Sequence, residues 1–212
     1  DSGINIRDNK VWRFDKNYRN PVSIVNFASD IMKSPYWSKS DDTVMPIPPV
    51  AEGPKPVLVG FKSKESEVEW LVKQIKTSMN SSSNVVVCRN RSTIDELSRI
   101  MNRAGVCTRV INKDQAGLST VKGVYLSTYH SVKGLEFENV FVPFLTAEIF
   151  PDPSTIENAA DTKSALADEL KLLYVATTRS KYGLLMSYHE SLTCLFPNTS
   201  INCEYINGEE LV

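Results

Sequence analysis

Val121-Lys122-Gly123-Val124-Tyr125-Leu126-Ser127-Thr128-Tyr129-His130-Ser131-Val132-Lys133-Gly134-Leu135-Glu136-Phe137-Glu138-Asn139-Val140-Phe141-Val142-Pro143-Phe144 is the stretch on which the fold turns. Val121–Thr128 and Val140–Phe144 both read as strands, and a polar hinge at 129–139 separates them. Similar short apolar runs occur at Val57–Phe61, Val85–Cys88, Cys107–Ile111 and Tyr182–Ser187. Apolar runs without alternation suit strands covered on both faces, which is the pattern of a parallel sheet.

Helical periodicity fills the gaps between these runs. Residues 63–79 carry Val68, Leu71, Val72 and Ile75 on one face. Ser92 is a candidate cap for the next helix, with Ile94, Leu97, Ile100 and Met101 as its stripe and Gly105 at its C-terminal stop. Asn20 is a candidate N-cap and Pro21 a first-turn residue ahead of Ile24, Phe27, Ala28 and Ile31. Residues 161–180 read as a long helix with Leu166, Leu170, Leu173 and Thr177 on one face. Pro46, Pro48, Pro49, Pro54 and Pro56 make 34–56 an extended surface connector. The loop after Phe150-Pro151 and the mixed tail 189–212 have no regular element assigned to them. The whole chain, 1–212, is expected to form one open α/β domain, a mostly parallel sheet with helices on both faces. Ligands of such sheets lie at the carboxyl ends of the strands, so the loops after 121–128, 140–144 and 182–187 are the expected site.

The composition is that of an ordinary globular domain, with 42% hydrophobic and 23% charged residues. Lys and Arg number 24 against 25 Asp and Glu, a net charge of -1, which excludes a uniformly basic nucleic-acid coat but not a local basic stripe. Cys88, Cys107, Cys194 and Cys203 form no CxxC pair and read as reduced, cytoplasmic thiols. With two histidines and no zinc spacing, no metal site is expected. No apolar run reaches 18 residues, no signal peptide opens the chain, and no membrane partner is expected. A first residue that is Asp rather than Met suggests a piece of something longer.

Three segments carry chemistry. In Asn17-Tyr18-Arg19-Asn20-Pro21 an Arg stands just before a helix start, where amides and guanidinium converge on a phosphate, and the Tyr offers a flat face for a base. Alone, a Tyr-Arg pair is commonplace. In Ser127–Glu138, His130 and Lys133 have ordinary readings as a hydrogen-bonded and a solvated residue; their crowding in a strand-end loop points to an anion or substrate. In Asp168–Lys181, Arg179 and Lys181 either complement a helix dipole or present a guanidinium to a γ-phosphate.

Together and in this order, these segments resemble the C-terminal half of UvrD/Rep/PcrA-like superfamily 1 DNA helicases. Asn17–Asn20 is similar to that family's N-Y-R-S/N. Thr128–Phe137 with Val140–Pro143 is similar to its T-x-H-x-x-K-G-L-E-F and V-F-x-P, and Leu172–Lys181 to its L-L-Y-V-A-x-T-R-A-K. The resemblance implies a RecA-like second domain lacking a P-loop of its own. It implies that Tyr18 stacks on adenine, that Arg19 and Arg179 reach the γ-phosphate, and that Gly134 and Glu136 lie against the nucleotide, Glu136 bonding the ribose. It implies that Thr128, His130 and Lys133 contact single-stranded DNA, and that Asn90 does so in place of the family's R-T-N. The implied cofactor is ATP with Mg²⁺, the metal ligands coming from an N-terminal RecA-like domain, which with single-stranded DNA is the implied partner.

The chain also departs from the family. Asp168-Glu169-Leu170-Lys171 stands where the family has E-E-R-R, Glu148 replaces a Gly, and only 112–121 lie where relatives insert a large helical subdomain. No Walker A motif and no strand ending in Asp-Glu is present. The expected function is the C-terminal half of an ATP-dependent DNA helicase or translocase, itself inactive on ATP. The alternatives are a non-catalytic module on the same scaffold and a self-contained α/β enzyme, for which Gly60-Phe61-Lys62-Ser63 is a poor phosphate loop.

Overall fold

The computed structural model describes residues 20–37, 51–111, 121–197 and 200–211. Among the described residues, seven strands form one sheet: β1 (Val57–Phe61), β2 (Ser83–Cys88), β3 (Thr108–Val110), β4 (Gly123–Thr128), β5 (Phe137–Val142), β6 (Ser180–His189) and β7 (Glu204–Asn207). Their order is β3-β4-β2-β5-β6-β1-β7 and every pairing is parallel. The interior strand β2 is buried along all six residues: its apolar run Val85–Cys88 is covered on both faces, and the polar Ser83 and Asn84 before it are buried as well.

Alternate strand residues feed two cores. Leu58, Val85, Val87, Tyr125, Val140 and Leu184 meet α1 (Val22–Met32) and α5 (Thr162–Thr177) on one face. Val59, Phe61, Val86, Val124, Leu126 and Phe141 meet α2 (Lys64–Ser78) and α3 (Arg91–Arg103) on the other. The apolar stripes of α1, α3 and α5 are buried largely as their periodicity implied. Helix α2 is rotated from its expected face: it buries Glu67, Trp70, Leu71 and Ile75, and Val68 and Val72 line a groove toward α3.

Several local expectations change. The cap of α3 is Asn90, not Ser92, and its side chain makes no capping bond. The cap of α1 is Pro21 rather than Asn20, whose side chain is engaged elsewhere. Gly105, at φ +82, ends α3 as anticipated. The region after Phe150-Pro151 contains a short helix, α4 (Pro153–Glu157), capped by Asp152. The tail supplies β7, an edge strand that its mixed composition concealed. Within 34–56, residues 51–56 form no regular element and lie along α1, with Val22 N–H donating to Ala51 and Ser23 Oγ to Pro54. Pro46, Pro48 and Pro49 fall outside the described residues.

Candidate functional site

Only part of the expected site lies at the carboxyl ends of the strands. Thr128 ends β4, and its hydroxyl accepts the Ser131 N–H at 3.1 Å and donates to Ser131 Oγ at 3.0 Å. That closes a tight turn from which His130 and Lys133 project into solvent. Tyr129 points the other way, fully buried against Phe150 with ring centroids 5.5 Å apart, and burial pushes its phenol well above the ordinary range. Gly134 sits at φ +86 with open space where a Cβ would be, so the backbone conformation alone explains the glycine.

Asn90, one strand over, donates to Asp152 Oδ1 at 3.3 Å. Asp152 also accepts from Ser154 Oγ at 2.6 Å and from the Thr155 N–H and hydroxyl. These bonds, that of Ser154 foremost, hold its carboxyl down at about 2. Arg89 is committed to Glu169: Nε and Nη2 reach the carboxylate at 2.6–3.0 Å in a nearly buried fork. Arg89 is therefore a brace between β2 and α5.

The other half of the site is at the opposite edge, contrary to the expectation from strand polarity. Glu136 precedes β5 and Arg179 precedes β6, so both stand at the amino ends of central strands. The Phe137 N–H donates to the Arg179 carbonyl at 3.0 Å, tying the two segments together. Glu136 Oε2 lies 3.1 Å from Lys181 Nζ. Arg179 Nε donates to the Val175 carbonyl at 2.9 Å, so the guanidinium does serve the end of α5, and Nη2 donates to Thr178 Oγ1 at 3.3 Å. Asn20 Nδ2 donates to the carbonyls of Thr178 and Ser180, at 2.8 and 2.6 Å. Tyr18 and Arg19 lie outside the described residues.

The segment 128–137 joins the two edges without a helix. Thr128 is level with Cys88, and Phe137 stands two residues before Asn139, the partner of Asn84. The segment thus crosses about six strand residues, roughly 20 Å.

The family profile of the UvrD-like helicase C-terminal domain matches residues 12–116 and 112–191. The chain belongs to this family. Among relatives of the UvrD-like domain, a probable DNA helicase of Mycoplasma pneumoniae is 26% identical over 176 residues, covering 81% of this chain and 30% of the relative. The ATP-dependent DNA helicase Rep of Buchnera aphidicola is 27% identical, covering 78% of this chain and 25% of the relative. The chain thus spans under a third of the length of these curated relatives. The C-terminal domain of a possible Lactobacillus helicase superposes with a TM-score of 0.63 at 19% identity, covering 89% of this chain and 98% of that one, which establishes the RecA-like fold.

Three features of this UvrD-like domain escaped sequence reasoning. The Arg89–Glu169 fork and the Asn20 clamp join residues 80 and about 160 positions apart, and no local pattern announces either. Glu67 is fully buried, accepting from the Phe144 N–H at 2.8 Å and Ser187 Oγ at 2.6 Å, with His189 Nδ1 at 2.6 Å from its other oxygen. Its i, i+4, i+8 spacing with Leu71 and Ile75 was the available signal. Among the described residues no three His, Cys, Asp or Glu side chains converge on a metal position, so no Mg²⁺ ligand is assigned to them.

Proposed function

We propose that this domain is the C-terminal half of an ATP-dependent DNA helicase or translocase, working across a cleft with an N-terminal RecA-like domain. The amino edge supplies one wall of the nucleotide site. Arg179 and Arg19 stabilise negative charge on the transferring γ-phosphoryl group, Tyr18 stacks on adenine, and Glu136 accepts a ribose hydroxyl. Gly134, at its positive φ, turns the chain ahead of Glu136 beside the nucleotide. ATP is the substrate, and its Mg²⁺ is held by the N-terminal domain.

The carboxyl edge supplies part of a single-stranded DNA track, with Lys133 and His130 exposed toward phosphates and Thr128 and Asn90 placing the two loops. The observation that carries this reading is the course of 128–137. It starts among the DNA candidates, ends at Glu136, and is hydrogen-bonded at its far end to the Arg179 carbonyl. Occupancy at one edge is therefore felt at the other through one short covalent segment.

The test is Arg179→Ala in the complete protein. DNA-stimulated ATP hydrolysis falls by about 10³-fold or more, the scale of a lost arginine finger, with DNA affinity nearly unchanged. Normal hydrolysis would reduce Arg179 to a helix-end cation and favour a non-catalytic module.

A further inference from the structure

We infer that Asn20 is a positioning residue that sets the Arg179 guanidinium for catalysis. The inference rests on the nucleotide-site reading above and adds a part that the reading does not contain. Asn20 is 3% exposed, yet it neither caps α1 nor faces solvent. Its amide nitrogen donates to the Thr178 carbonyl at 2.8 Å and the Ser180 carbonyl at 2.6 Å, the two residues that flank Arg179. Both partners are acceptors only, which fixes the orientation of the amide.

Arg179 is the second of two turn residues, after the C-cap Thr178, between the end of α5 and the first residue of β6. A junction of this kind is free to rock unless its peptide groups are held. Here they are held from two directions. Asn20 grips the carbonyls on either side, and the Phe137 N–H takes the carbonyl of Arg179 itself. The side chain is then fastened along its length by Val175 and Thr178. Only an Asn side chain supplies two donors on so short a stem. Ser would supply one, and Asp would set a carboxylate against two carbonyl oxygens. Asn20 also directly follows Arg19 in the chain.

The test is a double-mutant cycle in the complete protein, read by DNA-stimulated ATP hydrolysis with far-UV circular dichroism to check folding. Asn20→Ala lowers kcat by roughly 10- to 100-fold, the scale of a misplaced catalytic group, and leaves the KM for ATP within about threefold. In an Arg179→Ala background the same change lowers kcat by less than about twofold, because the group it positions is gone. If Asn20→Ala does not fold, Asn20→Ser, which keeps one donor, is read in the same cycle. An unaltered kcat in a folded Asn20 variant, or losses that multiply in the double variant, overturns the inference. If Arg179→Ala itself leaves hydrolysis intact, the nucleotide-site reading falls and takes the inference with it. If Arg179→Ala abolishes hydrolysis and the folded Asn20 variant does not weaken it, the inference alone falls.

Discussion

His130 and Tyr129 are neighbours with opposite fates. One projects into solvent from a turn closed by Thr128 and Ser131, and the other is buried beneath Phe150. A polar ring displayed on a turn locked from below is suited to sensing a ligand without supporting the fold. His130→Ala is therefore expected to weaken the coupling of ATP hydrolysis to single-stranded DNA more than it weakens basal hydrolysis. Steady-state rates with and without DNA measure this, and equal loss of both would undo the assignment. The same contrast separates Arg89 from Arg179. Arg89 is consumed by Glu169 in a nearly buried fork, whereas Arg179 bonds the Val175 carbonyl and Thr178 Oγ1 at the end of α5. Truncating one partner of the Arg89–Glu169 pair leaves a buried charge uncompensated, so the role of Arg89 is to hold β2 to α5.

At the scale of elements, two connections do the organising. The segment 128–137 runs from one sheet edge to the other, and α5 runs back in the opposite sense, delivering Arg179 beside Glu136. The loop before α5 is fastened by Asp152, whose carboxylate caps α4 and accepts from Asn90. Its carboxyl titrates at about 2 when folded, below the ordinary aspartate value of about 3.9. A depressed acid contributes stability that is fully present above its unfolded value and lost as pH falls through its folded one. The stability advantage of the native chain over Asp152→Asn is therefore expected to hold above about pH 4 and to shrink between about pH 4 and about pH 2. Urea midpoints across that range test it, and a constant difference down to pH 2 would contradict it. The run Ser127–Glu138 stood out in sequence as a candidate functional loop. Its span did not, because nothing local says that a ten-residue hinge must cross a parallel sheet from end to end.

For the molecule as a whole, the net charge of -1 is an average over two rims: exposed His130 and Lys133 follow β4 at the carboxyl rim, and Glu136 and Arg179 precede β5 and β6 at the amino rim. The described residues supply no phosphate loop and no cluster of metal-ligating side chains. The isolated 212-residue chain is accordingly expected to show no Mg²⁺-dependent ATP turnover, measured by phosphate release with saturating single-stranded DNA. Turnover at ordinary helicase rates would show that the catalytic carboxylates reside within it.

The amino-acid sequence by itself determined the class of fold, since unbroken apolar runs separated by 3.6-residue periodicity admit little besides a parallel sheet covered by helices. It also determined the family, through the Thr128–Phe137 and Leu172–Lys181 segments. Only the tertiary structure decided which rim each described candidate occupies, which charges are spent on bracing, that Asn20 serves the α5–β6 junction instead of α1, and that the tail adds β7. Periodicity records which face of an element is buried. The pairing of polar groups far apart in the chain is set by sheet order and register, and these leave no local trace.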